Sequence, residues 1–158
     1  MIGYLFDTCT ISHWYNKHPL VEKQAESIVG EQLFVSAISI GEIACGHAKK
    51  NATDVAKQAA FRKWIKETFE DNLLTLDLDT AENYGRYRAL LFEKFGGKNK
   101  RPEQCVDATG HSLGIDENDL WLVSQAYAHR LHFVTTDQMS RIRAVCGNEV
   151  DIIVWPLI

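Results

Sequence analysis

Short apolar runs alternate along this chain with longer stretches of helical period. Ile2-Gly3-Tyr4-Leu5-Phe6 is unbroken in its apolar character, the pattern of a strand buried on both faces. Leu33 to Ser36, Leu73 to Leu76, His132 to Thr136 and Asp151 to Trp155 predict four more strands. Between them the period lengthens. Ile11 to Tyr15 can start a helix, and Pro19 to Val29 predicts one that Gly30 stops. Ile38 to Lys49 is helical, with Ile40, Ile43, Ala44 and His47 near one face. Asp54 to Phe69 reads as amphipathic: Val55, Ala59, Trp64 and Ile65 mark the apolar side, and Lys57, Arg62, Lys63 and Lys66 the polar side. Asp79-Thr80-Ala81-Glu82 has capping-box spacing, which makes Asp79 the expected N-cap of a helix that Gly96-Gly97 ends. Asn118 is placed to cap a helix from Asp119 to about Arg130, and Met139 to Val145 predicts a last short one. Residues 98–114 are polar, contain Pro102 and show no period, so they read as a long loop.

Strand and helix alternate throughout, which implies an α/β fold: a mostly parallel central sheet flanked by helices in three layers. A length of 158 residues suits one domain, spanning 1–158, and 46% hydrophobic residues suffice for a core. No apolar stretch approaches the roughly 18 residues that span a bilayer. The N-terminus enters a strand pattern with no basic leader. The four cysteines, Cys9, Cys45, Cys105 and Cys146, form no C-x-x-C and read as reduced thiols. These features together predict a soluble cytoplasmic protein with no membrane role. The net charge of −4 excludes a protein that coats nucleic acid through bulk charge.

Charge matters locally instead. Asp7 closes the first apolar run and Asp137 closes Phe133-Val134-Thr135-Thr136. Glu42 lies a few residues beyond the second run, and Asp119 opens Leu120-Trp121-Leu122-Val123. If the runs are parallel strands, their carboxyl ends share the sheet edge where α/β proteins bind ligands. Each acid alone has an ordinary role, in a turn, at a helix N-terminus or as a cap. Glu42 is harder to place so, because it sits in Ala37-Ile38-Ser39-Ile40-Gly41-Glu42-Ile43-Ala44, where an unpaired carboxylate is costly. Four gathered carboxylates cannot all stay ionised without a cation. Their hard oxygens favour Mg²⁺ or Mn²⁺, as one ion or two.

Other chemistries find little support. The six histidines form no H-E-x-x-H or other compact ligand pair. There is no G-x-S-x-G, no Walker A and no G-x-G-x-x-G after the first strand. Asp7-Thr8-Cys9 has the look of the first motif of haloacid-dehalogenase phosphatases, but Cys9 stands where that chemistry needs a second acid.

Residue context adds a family resemblance. Tyr4-Leu5-Phe6-Asp7-Thr8 resembles the opening strand and acid of PIN-domain nucleases. Ser36-Ala37-Ile38-Ser39-Ile40-Gly41-Glu42-Ile43-Ala44-Cys45-Gly46 resembles their second motif, Asn118-Asp119-Leu120-Trp121-Leu122-Val123 the third, and Val134-Thr135-Thr136-Asp137 the fourth. Leu76-Asp77-Leu78-Asp79-Thr80-Ala81 and Val154-Trp155 also fit, so the similarity runs nearly end to end. It is greatest to the single-domain toxins of VapBC-type toxin–antitoxin pairs. The resemblance implies a PIN-like fold in which Asp7, Glu42, Asp119 and Asp137 are catalytic and hold one or two Mg²⁺ or Mn²⁺ ions. Thr8 and Thr135 would position the metal shell or the scissile phosphate, and Asp116 would be either a supporting acid or a surface cap. It implies a metal-dependent endoribonuclease that leaves 5′-phosphate and 3′-hydroxyl ends. Its partners would be an RNA substrate, a small antitoxin and a second copy in a homodimer formed through the first helices. A non-cutting PIN-like adaptor that binds RNA or protein is the alternative.

Lys98, Lys100 and Arg101 in the long loop are candidate RNA-phosphate contacts. The loop exceeds the usual connection before the third motif and could reach over substrate or serve a partner. Lys49-Lys50, Arg86 and Arg88 read as solvated charge or as further phosphate contacts. Trp14, Trp64, Trp121 and Trp155 could stack bases, although Trp64 and Trp121 sit at helical spacing and suit packing.

Overall fold

The computed structural model describes residues 2–50, 54–96 and 113–158. Five parallel strands form one sheet in the order β3-β2-β1-β4-β5, where β1 is Gly3–Phe6, β2 Gln32–Ser36, β3 Leu73–Leu74, β4 His132–Thr135 and β5 Ile152–Val154. The strand nearest the N-terminus is thus central, and all carboxyl ends lie along one edge. The register pairs Tyr4 with His132, Leu5 with Phe133 and Phe6 with Val134. On the other side Leu5 pairs with Phe34.

Successive residues of a strand point to opposite faces, and here they feed two separate cores. Leu5, Phe133 and Ile152 pack on one face with Tyr87 and Leu91 of α5 (Leu78–Phe95), Leu120 and Val123 of α6 (Glu117–Ala128) and Ile142 of α7 (Ser140–Cys146). Phe6, Val35 and Val134 pack on the other with Ile11 of α1 (Thr8–Tyr15), Val21 of α2 (Pro19–Glu26) and Phe61 and Phe69 of α4 (Val55–Phe69). This is the expected three-layer α/β/α arrangement. The remaining helix, α3 (Ala37–Lys50), follows β2 without a break and packs on α1. All four tryptophans are engaged in packing. Trp155 is buried in the second core, Trp14 and Trp64 meet edge to face, and Trp121 stacks on Tyr84 at 3.7 Å.

Several local expectations need correction. The capping-box reading put the start of α5 at Asp79, but the extended residue is Asp77, whose carboxylate accepts the Thr80 N–H at 2.8 Å. Asp79 falls inside the first turn. Asn118 is likewise inside α6, and Asp116 caps it by accepting the Asn118 N–H at 2.9 Å. In α4, Val55 is 71% exposed and Ala59 is exposed too. The stripe that packs on the second core is Phe61, Trp64, Ile65 and Phe69, the first and last buried and the two between them partly so. β3 is two residues long rather than four. Arg88 is buried against Glu117 rather than solvated, and Arg86 donates to both oxygens of Glu149 at 3.0 and 2.7 Å. Gly30, at φ +94°, takes the left-handed turn after α2 that other residues adopt only with strain.

Candidate functional site

Asp7 is the first residue beyond the central strand. Its N–H still donates to the Val134 carbonyl at 2.9 Å, so the ladder fixes its backbone. Its extended conformation makes it the N-cap of α1: one carboxylate oxygen accepts the Thr10 N–H at 2.7 Å. The other accepts the Thr135 hydroxyl, also at 2.7 Å. Only 2% of Asp7 is exposed, and every oxygen bond holds its carboxylate in one orientation. Thr135 is the last residue of β4, and its hydroxyl oxygen in turn accepts the Asp137 N–H at 3.0 Å. One buried hydroxyl therefore links two of the four acids.

Glu42 reaches the same edge from α3. Its Oε1 accepts the Thr8 hydroxyl at 2.8 Å, and that hydroxyl oxygen lies 3.1 Å from Ser39 Oγ. Ser39 and Glu42 are one turn apart on one helix face, so β2 and the first turn of α3 set both. Asp119 occupies the first turn of α6 and is half-buried, whereas Asp137 is exposed. Asp116, Asp119 and Asp137 share a cleft of about 310 Å³ with Arg141.

Electrostatics tie the set together. Burial raises the Asp7 carboxyl above its ordinary range, hydrogen bonds from Thr10 and Thr135 pull it back, and the charge of Asp137 adds to the rise. Glu42 is also raised, first by burial and then by Asp116 and Asp7, against hydrogen bonds from Thr8 and Asn118. Burial pushes Asp119 up to about 8, with the charges of Asp116, Asp7, Glu42 and Asp137 adding to it. The neighbouring Cys9 thiol feels all four acids and, mainly through burial, rises to about 11. Among the described residues no Lys, Arg or His forms an ion pair with Asp7, Glu42, Asp119 or Asp137.

The donor chemistry fits a hard divalent cation: all-oxygen ligands, one of them deeply buried, with positive charge missing. As the side chains stand, no group of three or more His, Cys, Asp or Glu among the described residues is near enough to hold an ion. Asp7 and Glu42 are fixed by hydrogen bonds, while the Asp119 and Asp137 side chains have no such restraint among the described residues.

The structure hydrogen-bonds Asp7, Thr135 and Asp137 into one group and Thr8, Ser39 and Glu42 into another, and sets Asp119 and Asp116 within Coulomb range of them. Asp116 is both a helix cap and a wall of the shared cleft. Lys98, Lys100 and Arg101 lie outside the described residues. Sequence reasoning missed Ser39, Thr10 and Arg141. Ser39 was legible as the residue three before Glu42, while Arg141 carried no motif.

Residues 4–147 match the PIN domain family. No significant match to a curated protein was found. Among solved structures the chain resembles VapBC2 from Rickettsia felis, bound to a DNA fragment from their promoter, at 18% identity and a TM-score of 0.71 over 98% of this chain and 99% of that one. It also resembles FitAcB from Neisseria gonorrhoeae at 21% identity and a TM-score of 0.65, over 95% and 96% of the two chains. A third is VapBC-5 of the VapBC family of toxin–antitoxin systems from Mycobacterium tuberculosis, at 20% identity and a TM-score of 0.63, over 98% and 99%. These likenesses concern the fold. With the family match covering nearly all of its residues, the chain belongs to the PIN domain family.

Proposed function

We propose that this chain is a metal-dependent endoribonuclease and the toxin of a toxin–antitoxin pair. The observation that carries the reading is the edge of carboxylates around a buried, doubly hydrogen-bonded Asp7 with no cationic side chain among the described residues paired to it. Asp7, Glu42, Asp119 and Asp137 would hold one or two Mg²⁺ or Mn²⁺ ions. When bound, such an ion supplies Lewis-acid polarisation of the phosphodiester and an activated water at neutral pH. The chain's own residues do the rest. Thr135 and Thr10 hold the Asp7 oxygens in place, and Thr8 holds Glu42, so both carboxylates meet the substrate without reorganising. Asp119 and Asp137 adjust on the open side of the cleft.

The toxin role is supported by the fold shared with VapBC and FitAB proteins. A small antitoxin would then be the natural partner, and an Arg from it could replace the missing cation charge. Homodimerisation and action as a single domain belong to the same reading.

The test is incubation of the purified protein with total cellular RNA in Mn²⁺, Mg²⁺ or EDTA, beside Asp119→Asn. Discrete fragments with 5′-phosphate ends are expected, dependent on metal and reduced at least a hundredfold in the variant. Cleavage that survives EDTA or D119N refutes the metal-site assignment. A folded protein that cuts nothing and binds no Mn²⁺ would favour a non-cutting adaptor.

A further inference from the structure

The acidic cleft has one basic wall. Arg141, near the start of α7, lines it together with Asp116, Asp119 and Asp137, and it is the only Lys, Arg or His among the described residues that does. An arginine beside three carboxylates would ordinarily pair with one of them. Arg141 does not. Its Nη1 donates to the Leu113 carbonyl at 2.9 Å. Its guanidinium lies 4.9 Å from the centre of the Phe95 ring. It is also pressed on Gly114, where a Cβ would come within 2.8 Å of Cζ. A carbonyl, a ring and a glycine thus hold the group in place and, among the described residues, leave most of its five-donor fork unspent.

A larger groove among the described residues behaves differently. It is about 740 Å³ and lies around Arg86, Tyr127 and His132. There Arg86 pairs with Glu149 and the His132 ring lies 2.6 Å from Asp151, so the arginine's charge is already spent. In the acidic cleft the charges are kept apart. A ligand that satisfies both walls must present an anion to the arginine while a cation sits among the carboxylates. A phosphodiester chain carrying a divalent ion has that chemistry.

We propose that Arg141 grips a backbone phosphate of the RNA beside the scissile one and so sets where the strand lies in the cleft. This rests on the nuclease reading above and assigns a positioning residue to it. A bidentate guanidinium–phosphate contact is directional and charge-assisted, and it works without touching a base.

The experiment uses a short fluorescein-labelled single-stranded RNA and the full chain in a D119N background, so that the probe is bound without being cut. Affinity is read by anisotropy across a salt series at a fixed Mn²⁺ concentration, and thermal melts establish that each variant is folded. Arg141→Gln is expected to weaken binding about tenfold. It should also lower the slope of log affinity against log salt by about 0.7, the loss of one phosphate contact on a single strand. Arg141→Lys, which keeps the charge, should recover the slope and part of the affinity. Gly114→Ala keeps the arginine but displaces it, and should weaken binding in the same direction. Equal affinity and slope for R141Q and its parent overturn the proposal, as does a parent that binds no RNA. Cleavage by the unmutated protein with Mn²⁺ is scored separately. RNA bound but never cut would sink the nuclease reading and leave the salt slope to decide Arg141.

Discussion

Thr135 carries more of the site than its size suggests, because its one hydroxyl serves a buried carboxylate on one side and the Asp137 N–H on the other. Thr135→Val keeps the shape and deletes both bonds. Leaving buried polar groups without partners costs about 1–3 kcal/mol, so urea unfolding should show a loss of that order, with Thr135→Ser close to the parent. Equal stability of the Val variant would refute this. Asp119 gives a test in pH. Its carboxyl is raised to about 8 when folded, whereas an unfolded Asp titrates near ~3.9. Between those values the folded state holds a proton that the unfolded chain releases. The metal-free protein therefore gains stability as pH falls from about 8 toward 4 and loses it as pH rises. Melts in EDTA should show this slope, and it should shrink in D119N; identical slopes would contradict it. At this scale the sequence spoke through context. Asp7 and Asp137 follow strand-like runs, and Glu42 stands in an apolar stretch, so all three could be named in advance. Arg141 could not, because its anchors Leu113, Gly114 and Phe95 come from distant segments that only the folded chain brings together.

Among the elements, the contacts between α5 and α6 hold the helix whose first turn carries Asp119. Arg88, 5% exposed, forms an ion pair with Glu117 in the first turn of α6, and its Nη1 lies 3.1 Å from the Tyr84 hydroxyl. Tyr84 then stacks on Trp121. Breaking a buried pair from one side leaves an uncompensated charge and costs about 3–5 kcal/mol. Arg88→Met should lower the denaturation midpoint accordingly and slow cleavage, since α6 carries Asp119; an unchanged midpoint would show that the pair is not needed. Strand and helix types were legible because apolar runs and helical periods are local signals. Their starts were less so. Asp77 and Asp79, or Asp116 and Asn118, are equally good caps on paper. The choice depends on which residue the incoming chain holds extended, and His129 at 2.8 Å from Asp77 is the C-cap of α6, far along the chain.

For the whole molecule, the order β3-β2-β1-β4-β5 sets the acids along one edge. A cation bound there should stabilise the entire cooperative unit. At a hundredfold excess over its Kd, Mn²⁺ should add about 2.7 kcal/mol, read as a rise in Tm that D119N diminishes. No shift at any Mn²⁺ concentration would argue against a metal centre. The parallel sheet could be anticipated from alternation alone, but strand order could not, because nothing local says that the strand nearest the N-terminus lies in the middle. No helix among the described residues is long and apolar enough to cross a membrane. That central placement also has a consequence in time. The Asp7–Thr135 bond joins residues 128 apart in sequence, and β1 gains its second neighbour only when β4 is available. On a ribosome, where chains emerge N-terminus first, Asp7 leaves well before the strand that completes its surroundings. The Asp7 carboxylate therefore gains its Thr135 partner only once β4 has been made, and a chain cut short before β4 lacks that bond.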